Sequence, residues 1–210
     1  MQATELSATV VGATGLVGKA LTQMLLAHPD YREVTIIVRR ELRRGEFHDP
    51  QLKLRVLQID FDDFQDYQGY FSVDHVFCCL GTTIKKAGSQ SAFRYVDFQL
   101  VHVAAQLARA QRAKGFVWVS SVGADKRSKH FYLKVKGELE SAIMTMPQLA
   151  FAAAVRPSLL LGEREEYRRA ERVGIWISQW CPWLFVGKLA KYKPIHANHV
   201  AQQMIDLQPK

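Results

Sequence analysis

Apolar residues along this chain gather into short runs separated by polar or turn-forming stretches. Such runs recur at Leu6 to Val11, Val34 to Val38, Leu54 to Gln58, Asp74 to Leu80, Gly115 to Ser120 and Phe151 to Arg156. Their near-continuous apolar character predicts strands buried on both faces. Between several of them the spacing becomes helical: Leu16, Ala20, Leu21, Met24 and Leu25; Phe98, Val101, Ala104, Ala105, Leu107 and Ala108; Val135, Leu139 and Ile143. A last helix is expected after His196 and His199, ending near Leu207. Lone histidines at such a place are read as hydrogen-bonded structural residues, and no carboxylate spacing suggests a metal. Buried strands alternating with amphipathic helices predict an α/β fold, a doubly wound parallel sheet with helices on both faces and right-handed crossovers.

Ligands of such sheets bind outside the carboxyl ends of the strands. Six loops should therefore converge: Gly12 to Gly18, Arg39 and Arg40, Asp60 and Phe61, Gly81 to Thr83, Ser120 and Ser121, and Pro157 onward. The first carries the most chemistry. VVGATGLVG spaces Gly12, Gly15 and Gly18 for a strand that turns sharply into a helix whose free N–H groups face a pyrophosphate. Gly12 would take a conformation a side chain forbids, Gly15 would let the main chain approach the phosphates, and Gly18 would let helix and strand lie close. The same spacing also suits an ordinary strand-to-helix turn.

The second predicted strand ends in Val38, Arg39 and Arg40. An acidic residue there would accept hydrogen bonds from the adenosine ribose, whereas a guanidinium pairs with a 2′-phosphate. This favours NADP over NAD; a solvated basic loop with Arg43 and Arg44 is the bland alternative. Farther on, FYLKVKGELE puts Tyr132 and Lys136 one helical turn apart on a shared face. A free phenol titrates near pH ~10, and a neighbouring ammonium favours its phenolate, which suits acid and base work. Lys136 could also hold a nicotinamide ribose. Ser121, with Ser120 in reserve, could hydrogen-bond the substrate oxygen whose charge changes during hydride transfer.

Composition narrows the class. The 210 residues, 48% apolar and 23% charged, fit one folded domain over 1–210 with no repeat or low-complexity tract. The formal charge of +8 suits an anionic ligand, but no helix-turn-helix, RNP or zinc-finger pattern accompanies it, so nucleic acid is not an expected partner. Cys78, Cys79 and Cys181 form neither a disulfide framework nor a zinc spacing and read as small buried hydrophobes. The first apolar strand begins within about ten residues of Met1, which leaves little room for a signal peptide and leads to an expected cytoplasmic location.

The order of VVGATGLVG, IIVRR, FCCLGTT, WVSSVGADKRS, FYLKVKGELE and VRPSLLLGER, from residue 7 to about 165, resembles the atypical branch of the short-chain dehydrogenase/reductase superfamily. Within it the chain is similar to the Tat-interacting-protein oxidoreductases. The resemblance implies a Rossmann-like NADP(H)-dependent oxidoreductase with Gly12, Thr14, Gly15, Leu16, Val17 and Gly18 around the pyrophosphate. It implies Arg39 and Arg40 at the adenosine phosphate, Asp60 and Phe61 at the adenine, and Leu80, Gly81, Thr82 and Thr83 at the adenine-side ribose. Ser121, Tyr132 and Lys136 match the family's catalytic positions, and residues after Pro157 would line the nicotinamide. Asp60 could instead cap a turn, and Thr82 and Thr83 could be loop hydroxyls. Two residues depart from the pattern: Asp97 stands where many extended members carry Asn, and His199 where an Asp often follows the last strand. Members with intact motifs also serve as noncatalytic, cofactor-sensing regulators that bind a protein partner.

Residues 157–195 form the variable substrate-side region of the resemblance. It is basic at Arg164, Arg168, Arg169 and Arg172 and aromatic at Trp176, Trp180, Trp183 and Phe185. Three readings stand: a pocket for a small, apolar carbonyl substrate; a buried helix or a contact with another subunit; and an interfacial helix on an anionic membrane. Pro182 and Lys188 interrupt the apolar run, which argues against a transmembrane span.

Overall fold

The computed structural model describes residues 5–158, 160–161 and 195–209. Six strands, β1 (Leu6–Val11), β2 (Tyr31–Val38), β3 (Leu54–Gln58), β4 (His75–Cys78), β5 (Gly115–Val119) and β6 (Ala152–Val155), pair in parallel in the order β3-β2-β1-β4-β5-β6. The fold class expected from the hydrophobic pattern is thus the observed one. The chain runs outward from β1 to β3 and then returns to place β4 on the other side of β1. That reversal opens a crevice at the carboxyl ends of β1 and β4.

Alternation along each strand divides the core into two layers. Val11, Val76, Cys78, Phe116 and Trp118 face one side, where α4 (Val101–Ala110), which follows the short helices α2 (Ile84–Ala87) and α3 (Gln90–Arg94), packs with α5 (Phe131–Met144) and the aromatic segment Phe61–Phe71. Ala8, Val10, Ile36, Phe77 and Val117 face the other, against α1 (Leu16–Ala27) and the last helix, Ala197–Asp206. A separate parallel pair joins Leu160–Leu161 to Ile195–His196. Among the described residues no helix is long and apolar enough to cross a membrane.

The opposite, amino end of the strands is tied by Asp74. Its carboxylate accepts from the Ser7 N–H at 2.8 Å and hydroxyl at 2.9 Å, and meets the Lys114 ammonium at 2.7 Å. Partial burial opposes ionisation, but the bonds from Lys114 and Ser7 prevail and bring the Asp74 carboxyl down to about 2 from its ordinary 3.8. Because the folded value lies below the unfolded one, this stabilisation is present above pH ~4 and is lost as pH falls toward ~2. Asp74→Asn is therefore expected to flatten the stability profile across that interval, as read by denaturant midpoints at successive pH. An unchanged acid limb would exclude Asp74 as its source.

Candidate functional site

The turn after β1 is built from three glycines in three different ways. Gly12 has φ +84°, and a Cβ there would lie 2.7 Å from the Cys79 carbonyl carbon and 2.8 Å from the Leu80 nitrogen. Gly18, buried in the first turn of α1, would put a Cβ 2.2 Å from the Gly12 carbonyl oxygen. Gly15 differs: it is exposed, it is the N-cap of α1, and its Cβ would meet only that same oxygen, at 3.4 Å. Two glycines thus serve packing and one leaves an open approach to the helix end. The first turn of α1 holds no acidic residue and the cap no side-chain hydrogen bond, so its backbone donors and dipole can meet an anion. Thr14 and Leu16 are half-buried beside this opening, while Val17 sends its side chain into the core and can offer only backbone.

The arginines after β2 separate. Arg40 makes a two-pronged pair with Glu46, at 2.8 and 3.1 Å, and this bond, joined by one from the Arg43 N–H, holds the Glu46 carboxyl below its ordinary value despite some desolvation. Arg39 instead lines an open cavity of about 540 Å³ with Gln58, Ile59, Asp60 and Tyr67. Asp60 both borders this cavity and caps the following turn, accepting the Asp62 N–H at 3.1 Å. Phe61 is not among the residues that line the cavity: it turns its ring into the core against Phe64, and its carbonyl lies 3.4 Å from the Tyr95 hydroxyl. There the Tyr95 hydroxyl donates to Asp62 at 2.7 Å; burial and then the Asp62 carboxylate push that phenol up to about 12. Gln58, Ile59 and Tyr67 were not among the expected site residues. Tyr67 was discoverable, since Phe61, Phe64, Tyr67 and Tyr70 repeat every third residue, the period of the 3-10 turns they form.

Past β4, Leu80 packs on the core and Gly81 is exposed. The Thr82 N–H donates to Asp97 at 2.8 Å, and the Thr83 hydroxyl caps the next short helix by accepting the Lys86 N–H at 3.2 Å. The loop reading of Thr83 is therefore realised locally, within the same loop that faces the crevice.

The β5 and β6 ends stay in register beyond the strands: Ser120 N–H donates to the Val155 carbonyl at 2.7 Å and Val122 N–H to that of Pro157 at 3.0 Å. The loop then docks on α5. Asp125 N–H donates to the Leu133 carbonyl at 3.1 Å, and Gly137 has no side chain because Asp125 and Lys126 backbone atoms lie 2.2 Å from where its Cβ would be. This brings the Ser121 loop against the first turns of α5. Ser120, the reserve candidate, is occupied: its hydroxyl donates to Glu140, which also receives Arg156 through Nε at 2.9 Å and through a second, shorter contact. Among the described residues, the half-buried Ser121 hydroxyl makes only a long 3.3 Å bond to the neighbouring Val122 carbonyl.

Tyr132 packs against Phe93, with ring centroids 5.5 Å apart, one turn before Lys136 on α5. Lys136 is 3% exposed and its ammonium lies 2.7 Å from the buried Asp97 carboxylate. Burial opposes that positive charge, but Asp97 and then Tyr132 outweigh it and hold the lysine above its ordinary value. Asp97 comes from a π-helical turn, Tyr95–Leu100, inserted before α4. The sequence marks it as a charged residue on the stripe shared by Val101, Ala104 and Ala108, but no spacing links it to Lys136.

Of the substrate-side region 157–195, residues 162–194 lie outside the described residues, including every arginine and tryptophan named above for it. His196 and His199 are exposed at the start of the last helix, and His199 lies 3.3 Å from Gln203.

Residues 12–166 match the family described as NAD(P)H-binding. Protein HTATIP2 of Rattus norvegicus is 39% identical over 168 residues, 79% of this chain and 67% of that protein. Protein FMP52, mitochondrial, of Candida albicans is 32% identical over 98% of this chain and 89% of that protein. The Bordetella bronchiseptica enzyme WbmH, solved with NAD+, superposes with a TM-score of 0.71 at 14% identity, covering 97% of this chain and 72% of that one, which speaks to the fold. The yeast relatives correct one expectation. Several FMP52 proteins are designated mitochondrial, which overturns the cytoplasmic location read from the early first strand. Where a strand starts reports on room for a secretory signal and says nothing of organelles.

Proposed function

This chain belongs to the NAD(P)H-binding family, and on that premise we propose that it transfers a hydride between NADP(H) and a small carbonyl or alcohol substrate. The observation that carries the reading is Lys136, a lysine kept charged in the interior one helical turn from Tyr132, beside the crevice where such sheets bind nucleotides. The residues fit the cofactor: Gly15 leaves the approach that a phosphate pair needs, and Arg39 stands with Asp60 at a cavity on the adenosine side. When bound, the nicotinamide supplies or accepts the hydride.

The chain's own groups handle the proton and the charge. Tyr132 gives its hydroxyl proton to the developing alkoxide and takes it back in the reverse direction. Lys136 offsets the negative charge that develops on that phenol oxygen as the proton leaves and donates to the cofactor ribose, and Ser121, whose internal bond is easily exchanged, orients the substrate oxygen. Purified protein incubated with NADPH and a panel of small aldehydes and ketones should consume NADPH, read at its absorbance maximum. Tight NADPH binding without turnover on the panel would instead favour a cofactor-sensing regulator, and loss of any binding would remove both.

The preference for NADP(H) rests on Arg39, because Arg40 is engaged by Glu46. Losing one charge-assisted contact costs about 1.5–3 kcal/mol, or roughly 10- to 100-fold in affinity. Arg39→Ala should weaken NADP(H) by that factor and leave NAD(H) unchanged, as measured by calorimetry. Equal weakening of both would place Arg39 away from the 2′-phosphate.

A further inference from the structure

We infer that Glu46 sets the strength of the NADP(H) preference by holding Arg40 away from the 2′-phosphate, so that discrimination between the two nucleotides is left to Arg39. The inference rests on the proposed use of NADP(H) and adds a positioning residue that acts through Arg40 without touching the nucleotide.

The loop after β2 is folded to bring this carboxylate into place. Gly45 has φ +75°, and the Glu46 N–H donates to the Arg43 carbonyl at 3.0 Å, closing a tight turn. The turn returns the Glu46 side chain to the residues just ahead of it. One carboxylate oxygen accepts from Arg40 Nη2 at 2.8 Å; the other accepts from Arg40 Nη1 at 3.1 Å and from the Arg43 N–H at 3.0 Å. Arg40 Nη1 donates as well to the Glu41 carbonyl at 2.9 Å, which steadies the guanidinium in that direction. Two residues past Glu46 the loop is fastened to α1, where the Gln23 amide donates to the His48 carbonyl at 2.8 Å and accepts the His48 N–H at 3.0 Å.

Exposure separates this pair from an ordinary surface contact. The Glu46 side chain is 5% exposed and that of Arg40 48%. Isolated surface ion pairs contribute little, in part because two long side chains must both be ordered. The turn and the Arg43 N–H already fix Glu46, so the pairing orders Arg40 alone. Lys19, exposed in the first turn of α1, adds its attraction to the Glu46 carboxylate. That carboxylate therefore joins the arginine at the end of β2 to the helix whose amino end faces the nucleotide. A guanidinium fork, a backbone N–H and an ammonium around one anion are the groups that would receive a phosphate, and the chain fills their centre with an anion of its own. An incoming 2′-phosphate meets a rival for the Arg40 fork and a fixed negative charge beside it. A ribose hydroxyl is indifferent to both. Glutamine at 46 keeps an oxygen for the Arg43 N–H, so Glu46→Gln removes the charge and spares the turn.

The test is calorimetry on the full chain with NADPH and with NADH. Glu46→Gln should bind NADPH about tenfold more tightly than wild type, the scale of one charge-assisted contact, and NADH within about twofold. In an Arg40→Ala background the same substitution should gain less than about threefold, the part owed to repulsion alone. A merely structural role for Glu46 would move both nucleotides together. In the wild type, the 15N signal of Arg40 Nε, assigned by its loss in Arg40→Lys, should respond to NADPH no more than to NADH. A response to NADPH alone overturns the inference even if the variants fail to fold. Equal gains in the two backgrounds overturn it too, and so does weaker NADH binding by Glu46→Gln, which would put the carboxylate on the ribose itself. A wild type that binds neither nucleotide removes the proposed function; one that binds NADPH no less tightly than Glu46→Gln does removes this inference alone.

Discussion

Gly12→Ala and Gly18→Ala should each cost the protein roughly 3 kcal/mol or more, whereas Gly15→Ala should leave stability almost unchanged. At Gly12 two penalties add. The φ of +84° is strained for any residue with a Cβ, and that Cβ would overlap the Cys79–Leu80 peptide. At Gly18 the overlap is with the Gly12 carbonyl oxygen at 2.2 Å and with Ala13 Cα at 2.9 Å, all backbone with no flexible side chain to swing away. Relief would require α1 to lift from β1, disturbing Leu21 and Leu25, both fully buried. For a chain of this length 3 kcal/mol corresponds to a fall of roughly 10 °C in melting temperature. Gly15, exposed and with only a 3.4 Å neighbour, offers the contrast: Gly15→Asp should fold with an ordinary midpoint and lose NADPH binding, because a carboxylate would occupy the anion's approach. Chemical denaturation and calorimetry on these four variants separate the roles. If Gly12→Ala and Gly18→Ala melted within about 1 °C of wild type, the close fit of α1 to β1 would be wrong.

The same contrast explains what the sequence made legible. The six strands follow from apolar runs that local chemistry fixes, and Leu6–Val11 and Leu54–Gln58 have the observed limits. The last of the expected strands, Phe151 to Arg156, loses one residue at each end, since Arg156 leaves the ladder to pair with Glu140. The glycine turn and the Tyr132–Lys136 face are also local, spanning one loop and one helical turn. What escaped is non-local. The Asp97–Lys136 pair joins residues 39 positions apart, counting from the numbers of the two partners, and Glu140 claims Ser120 across 20. The division of the arginines depends on Glu46, a loop residue whose approach to Arg40 no periodicity encodes. Short elements escaped for another reason: Ile84–Ala87 and Gln90–Arg94 have only four and five residues, too few to show a helical period, and are started by the hydroxyl caps Thr83 and Ser89.

Tyr132→Phe should reduce turnover by a factor of about 10² to 10⁴ while leaving NADPH affinity within about twofold of wild type. The substitution removes one oxygen and keeps the ring that packs against Phe93, so the start of α5 and the Lys136–Asp97 pair should stay in place. The lost function is the proton: without the hydroxyl, a reduced carbonyl must draw its proton from water, and Lys136 has no phenol oxygen to bias. Lys136→Met should behave differently. It removes a group assigned both to the ribose and to the phenol, so affinity and turnover should fall together, and it leaves the Asp97 carboxylate buried without its cation, at a cost of about 3–5 kcal/mol in stability. Ser121→Ala should lie between them in turnover and near wild type in folding, since its hydroxyl makes one long bond among the described residues. The diagnostic quantity is therefore the split between binding and turnover: Tyr132→Phe moves turnover alone. Should Tyr132→Phe reduce a verified carbonyl substrate at the wild-type rate, with Lys136→Met doing the same, the proton would come from elsewhere, and the buried lysine would serve the architecture of the crevice and its nucleotide alone.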